Sequence, residues 1–237
     1  MKRVIDEGLA AKKPFFVAWW PQLGSFVNID PKEDPMTLSY GVLQEGLARI
    51  DVMVGELLDE VKKPGIEENT LIILIADNGP MTHNPPPGLG MNETIFRGGK
   101  GDFTEGGVRV PAQAWWPGVI EPGQIVGDII HEVDLFTTFA RLGGATEHIP
   151  TDRIIDGIDQ TALLLNGDSY SRRDYVFIYT GDHLAATVKG RFKRDWWNAL
   201  PGLSGPEFYD LYNDPREVQG KLVPLFAVKP MFSIMKT

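Results

Sequence analysis

Two continuous apolar runs, Pro14 to Trp20 and Thr70 to Ala76, bracket one long helical repeat, and this alternation limits the fold more than any other feature of the chain. A strand that is apolar at every residue needs cover on both faces of its sheet. Between the runs, Leu43, Leu47, Ile50, Val54, Leu57, Leu58 and Val61 recur at helical spacing. Asp34 is the expected N-cap, Pro35 the first helical residue and Pro64-Gly65 the stop. Asp51, Glu56, Asp59 and Glu60 fall on the solvated face. Strand, helix, strand in this order predicts a parallel sheet covered by helices, a three-layer α/β core.

Further along, Val108 to Trp116 reads as another strand, closed by Pro117-Gly118. Val133 to Leu142 reads as a helix with Leu135, Phe139 and Leu142 on one face and Gly143-Gly144 as its end. After Gly157 the pattern changes. The segments Asp174 to Thr180, His183 to Lys189 and Arg191 to Trp197 are parted by turns at Gly181-Asp182 and Gly190, which predicts a small antiparallel sheet. The expected division is a core over residues 1–157 and a C-terminal subdomain with a tail over 158–237. Leu222 to Thr237 is apolar without a period and stays unassigned.

A net charge of −9 argues against nucleic acid or an anionic membrane surface as partner. No apolar run reaches the ~20 residues that span a bilayer. Met1 to Lys13 carries Asp6 and Glu7 without the apolar stretch of a signal peptide, and localisation stays open. The chain has no cysteine, which excludes disulfides, thiolate metal sites and a cysteine nucleophile.

Chemistry concentrates in the long loop from Asp77 to about Glu105, a length that is usually functional inside a compact domain. Asp77-Asn78-Gly79 follows the second apolar run directly. A carboxylate and an amide there offer adjacent oxygen donors of the kind Ca²⁺ or Mg²⁺ takes, beyond the end of a strand where α/β folds place their ligands. The tripeptide alone is more simply read as a plain Asx turn ending a strand. Farther on, Lys100 is flanked by glycines in Gly99-Lys100-Gly101, so its ammonium can meet an anion at close backbone approach. A flexible surface loop is the competing reading, and the spacing is not that of a phosphate-binding P-loop. His83 follows the Asp-Asn pair by a few residues and either lines a pocket or is an ordinary loop histidine. His131, His148 and His183 read as structural. Glu105 and Arg109 read as holding the loop, and the pairs Trp19-Trp20 and Trp115-Trp116 as packing.

Taken together and in order, these pieces resemble the sulfatase family of the alkaline-phosphatase-like superfamily. The run comprises Pro14-Phe15-Phe16-Val17, Asn69-Thr70-Leu71-Ile72 into Asp77-Asn78-Gly79, then Gly99-Lys100-Gly101. It continues through Thr104-Glu105-Gly106-Gly107-Val108-Arg109-Val110-Pro111 to Trp116-Pro117-Gly118, and Phe208 to Pro215 with Glu217 looks like the closing segment. The resemblance implies an alkaline-phosphatase-like α/β core, present in part, and hydrolysis of sulfate esters. It implies that Asp77 and Asn78 bind a divalent cation, usually Ca²⁺, and that Lys100 contacts the sulfate of a small-molecule or glycan substrate. The family nucleophile is a formylglycine made from a C/S-x-P-x-R motif, which this sequence lacks, as it lacks the family histidine after the Phe15-Phe16 run. The chain thus corresponds to the later part of a sulfatase, and a separate N-terminal sulfatase fragment is an expected partner. Two alternatives stay open: a phospho- or phosphonate esterase of the same superfamily, since metal and lysine suit either anion, and a non-catalytic sulfatase-derived binding protein.

Overall fold

The computed structural model describes residues 2–21, 35–80, 95–167, 171–197 and 207–220, with backbone alone over 35–46. The helices are α1 (Lys2–Ala11), α2 (Pro35–Lys62), α3 (Glu105–Val108), α4 (Asp134–Leu142) and α5 (Thr161–Asn166). The strands are β1 (Ile72–Ile75), β2 (Ala112–Trp115), β3 (Tyr175–Thr180), β4 (His183–Lys189), β5 (Phe192–Asp195) and β6 (Glu207–Asp210). Contacts divide the chain into two compact units. The first takes in Met1–Ala76, Pro80–Glu93 and Pro111–Val119, the second Asp77–Gly79, Thr94–Val110 and Ile120–Thr237.

In the first unit, α1 lies against α2, with Ile5 and Val61 both buried and Lys2 paired to Glu60 at 2.9 Å. α2 starts at Pro35 as expected; Asp34 lies outside the described residues. Its end is a Schellman motif. Gly65 has φ +72, its N–H donates to the Lys62 carbonyl, and the Ile66 N–H reaches back to Val61. That left-handed backbone is why glycine stands there. Leu47, assigned to the buried stripe, is instead 56% exposed.

Two expectations about strands fail here. β1 pairs with β2 antiparallel, Ile72 opposite Trp115 and Ile75 opposite Ala112, where a parallel partner was expected. A continuous apolar run records burial, not strand direction, so it suits either pairing. Pro14 to Trp20 alternates in exposure, with Phe16 and Trp20 open to solvent, but it joins no sheet among the described residues. Apolar side chains alone do not make a strand, because each N–H and C=O needs a neighbouring ladder. The strand expected over Val108 to Trp116 starts only at Ala112, since Val108 closes α3.

In the second unit the predicted antiparallel sheet is present in the order β3-β4-β5-β6. Its inner face carries Ile178, Ala186, Val188, Tyr209 and Leu211, with Phe103, Ile129 and Val176 packed on them. α4 packs in this unit, and its buried face is polar: Asp134, Thr137 and Thr138 are buried, while Leu135, Phe139 and Leu142 are only half-buried. The cause is Arg173, which leads into β3. Its guanidinium grips the fully buried Asp134 carboxylate at 2.6–3.0 Å. The same carboxylate accepts the amides of His131 (3.0 Å) and Ile158 (2.8 Å).

Desolvation raises the Asp134 carboxyl, but the Arg173 and amide hydrogen bonds outweigh it and hold the group below the usual carboxylate range. A folded-state pKa below the unfolded value contributes stability that is present above the unfolded pKa, about 4, and is lost as pH falls through the folded one. Thermal unfolding followed by circular dichroism should therefore show Tm dropping below about pH 4. Asp134→Asn should flatten that drop; an unchanged acid limb in the variant removes Asp134 as its source.

Candidate functional site

The glycine-flanked lysine sits on a loop that closes on itself. Between Gly99 and Asp102 the chain turns with the Asp102 N–H on the Gly99 carbonyl at 2.9 Å, while the Asp102 carboxylate accepts the Gly99 N–H at 2.8 Å. Lys100 occupies the corner, exposed. The loop ends are tied by Gly106 N–H to the Arg97 carbonyl at 2.7 Å and by the Thr104 hydroxyl to the same oxygen at 2.8 Å. Gly79 docks on this loop, donating its N–H to the Gly107 carbonyl at 3.0 Å. An added Cβ on Gly79 would overlap the Gly106 carbonyl, and one on Gly106 or Gly107 would overlap backbone oxygens of the loop. The glycines are thus a requirement of backbone-to-backbone packing.

A buried charge cluster stands beneath the loop. Lys193 of β5 is fully buried; its Nζ donates to the Phe103 carbonyl at 2.8 Å and pairs with Glu105 at 3.2 Å and Glu217 at 2.9 Å. The second oxygen of Glu105 faces Arg109 at 3.8 Å, so two cations meet two carboxylates. Burial pushes the Glu217 carboxyl up, against the pull of Lys193 and the Glu105 amide. The turn holding Glu217 is braced by Asp214, whose carboxylate accepts the Val218 and Gln219 amides at 3.0 and 2.7 Å.

Of the four residues singled out from sequence, Asp77, Asn78 and Lys100 fall in the second unit, and His83 lies outside the described residues. Asp77 is exposed and Asn78 half-buried. The Asn78 Nδ2 donates to the Gly79 carbonyl at 2.7 Å, which leaves its carbonyl oxygen Oδ1 as the donor of a cation-binding type. A carboxylate and an amide oxygen on consecutive residues are of the hard type that Ca²⁺ or Mg²⁺ takes, two of the about 6–8 ligands a Ca²⁺ shell needs. Among the described residues, no group of three His, Cys, Asp or Glu side chains is placed to hold a metal ion. Sequence reasoning missed Lys193, and it treated Glu217 only as part of a closing motif. The signal for Lys193 was a lysine inside a short strand whose neighbours are charged as well.

The sequence model of the family described as Sulfatase matches residues 23–145, just over half of the 237. The chain belongs to the sulfatase family. Steryl-sulfatase of Rattus norvegicus is 34% identical over 209 residues, covering 75% of this chain and 36% of that protein. N-acetylgalactosamine-6-sulfatase of Canis lupus familiaris is 35% identical over 196 residues, covering 79% and 35%. The PsFucS1 sulfatase from Pseudoalteromonas sp. superposes with a TM-score of 0.70 at 33% identity, over 79% of this chain and 40% of that one. The fold is therefore part of the alkaline-phosphatase-like α/β fold of sulfatases, with the small antiparallel sheet at its C-terminal side. The chain spans about a third of the length of the curated sulfatases it matches.

Proposed function

We propose that this chain serves a sulfuric ester hydrolase as the segment carrying the sulfate-contacting lysine and part of the metal site. Lys100 contacts the sulfate, and Asp77 with Asn78 gives two oxygen ligands to a Ca²⁺ or Mg²⁺ ion. One observation carries the reading. The Asp77–Gly79 turn and the Gly98–Gly107 loop interlock through the Gly79–Gly107 hydrogen bond and a backbone approach that only glycine permits. The turn after one motif thus packs, backbone to backbone, on the loop that carries the other, which supports placing them in one site.

The bound cation would stabilise negative charge on the sulfuryl group. Lys100 adds a fixed positive charge at a corner where flanking glycines let an anion approach closely. Sulfated small molecules or glycans are the substrate class that follows. Formylglycine has no precursor motif in these 237 residues, so the nucleophile comes from a segment outside them. This reading requires a segment bearing that motif, whether in the same polypeptide or in a second one.

The test is aryl sulfate hydrolysis, with calorimetry against Ca²⁺, by this chain alone and together with a sulfatase N-terminal fragment bearing C/S-x-P-x-R. Alone, the chain should bind Ca²⁺ weakly and show no turnover. With the fragment, turnover should appear, and Lys100→Ala should lower it about 10²–10³-fold, the scale of losing one charge-stabilising donor. Faster turnover of an aryl phosphate would point to a phosphoesterase. Turnover by the isolated chain would falsify the division of labour proposed here.

A further inference from the structure

We propose that Lys193 and Glu217 are positioning residues that set the Lys100 turn from beneath. This inference rests on the reading of Lys100 as the sulfate contact. α3 begins one residue after Thr104, whose hydroxyl donates to the Arg97 carbonyl and makes no cap bond to the helix. The first helical N–H, that of Glu105, has no partner within the helix and lies out of a cap side chain's usual reach, so it needs an acceptor from elsewhere. Glu217 supplies it, its Oε2 accepting that N–H at 2.7 Å across 112 residues of sequence. The backbone carbonyl of Glu217 accepts from Arg97 Nη1 at 2.6 Å. One residue thus holds both the start and the end of the loop.

Lys193 adds the third anchor through Phe103 and ties Glu105 to Glu217. Anchors at Arg97, Phe103 and Glu105 bracket the turn from Gly98 to Asp102, and nothing in them touches the exposed Lys100 side chain. The backbone position of Lys100 is fixed while its ammonium stays accessible.

The arrangement is costly as a stability device. Burying a lysine against two carboxylates carries a desolvation penalty that well-packed apolar residues would avoid. Glu217 is a non-glycine residue at φ +52, a conformation that persists only where its surroundings over-determine it. Such costs collect where geometry serves a site. The four-stranded sheet here delivers Lys193 from β5 and Glu217 from the turn after β6 to one loop.

The experiment uses the full chain and inorganic sulfate as probe, titrated by NMR through the amides of Gly99 and Gly101. Lys193→Met leaves two buried carboxylates without their lysine and is expected to lower stability. The double variant Lys193→Met/Glu217→Gln neutralises one of the two carboxylates and leaves Glu105 to Arg109, keeps an acceptor for the Glu105 N–H and still deletes the donor to Phe103. Lys100→Ala should weaken sulfate binding about tenfold or more, the scale of a charge-assisted hydrogen bond. The double variant should weaken it about fivefold with Tm above that of Lys193→Met, and should add nothing on the Lys100→Ala background, since residues acting through one group are not additive. The Gly106 and Asp102 amides should exchange faster in the double variant, while those of the β3–β4 ladder keep their protection.

Unchanged sulfate affinity in the double variant, with the Lys100→Ala loss intact, overturns the positioning role and leaves the proposed function standing. So do losses that simply add. If Lys100→Ala leaves the sulfate response as it was in the parent chain, the reading of Lys100 falls and this inference falls with it.

Discussion

Replacing Asp134 by alanine should cost about 3–5 kcal/mol of unfolding free energy, the usual loss when one partner of a buried ion pair is removed. The carboxylate is 0% exposed and the Arg173 guanidinium 6%, so neither charge can turn to water when the other goes. Asp134→Ala also orphans the His131 and Ile158 amides, each of which donates to that carboxylate. The Arg173 guanidinium would keep the carbonyls of Asp156 at 2.6 Å and Tyr175 at 3.4 Å and the face of the Tyr175 ring, none of which carries a compensating charge. A domain of ordinary stability, about 5–15 kcal/mol, would lose a large part of it. Urea unfolding read by circular dichroism measures the effect as a lower midpoint at unchanged slope. The paired change Asp134→Asn/Arg173→Met should cost far less than the single losses combined, because no charge is left unpartnered. A midpoint for Asp134→Ala within about 1 kcal/mol of the parent would show that α4 and β3 are held together by something else.

The sequence spoke clearly where a local rule decides the outcome. Pro35 opens α2 and Gly65 closes it because ring and left-handed backbone fix those positions whatever surrounds them. Gly181 and Gly190 mark the turns of the sheet for the same reason. The Asp-Asn-Gly and Gly-Lys-Gly motifs were visible as candidates, but the reason for their glycines was not. Gly79 meets Gly106 and Gly107 across a gap in sequence that only the folded backbone closes. The misses share a cause as well. Pro14 to Trp20 has the composition of a strand without a paired neighbour among the described residues. The apolar stripe of α4 was read correctly as helical, while the face it buries is set by Arg173 from far along the chain. Lys193 was hard to single out because it stands among Arg191, Arg194 and Asp195 without alternation of charge, and Lys193, Arg194 and Asp195 are all buried.

Gly79→Ala should separate the two motifs that the fold joins. A Cβ at this position would overlap the Gly106 carbonyl oxygen and stand 3.2 Å from the Gly107 Cα. These are backbone atoms, so no flexible side chain can swing aside. The Gly106 N–H is itself tied to Arg97, which keeps the loop from retreating without loss of its own bonds. The variant must break the Gly79–Gly107 hydrogen bond or push the loop away, and overpacking of this kind costs about 3 kcal/mol or more. Under the proposed function the larger consequence is geometric. A shift of about 1 Å between the Asp77–Asn78 pair and the Lys100 turn is enough to lower turnover about a hundredfold. Gly55→Ala is the matched control. Gly55 lies inside α2 with open space where its Cβ would go, so alanine there should gain about 1 kcal/mol from helix propensity alone. Thermal unfolding of both variants, read beside aryl sulfate turnover with the complementing fragment, gives the comparison. Equal Tm and equal turnover for Gly79→Ala and the parent would mean that the two loops do not pack as closely as described, and the case for a single site would lose its foundation.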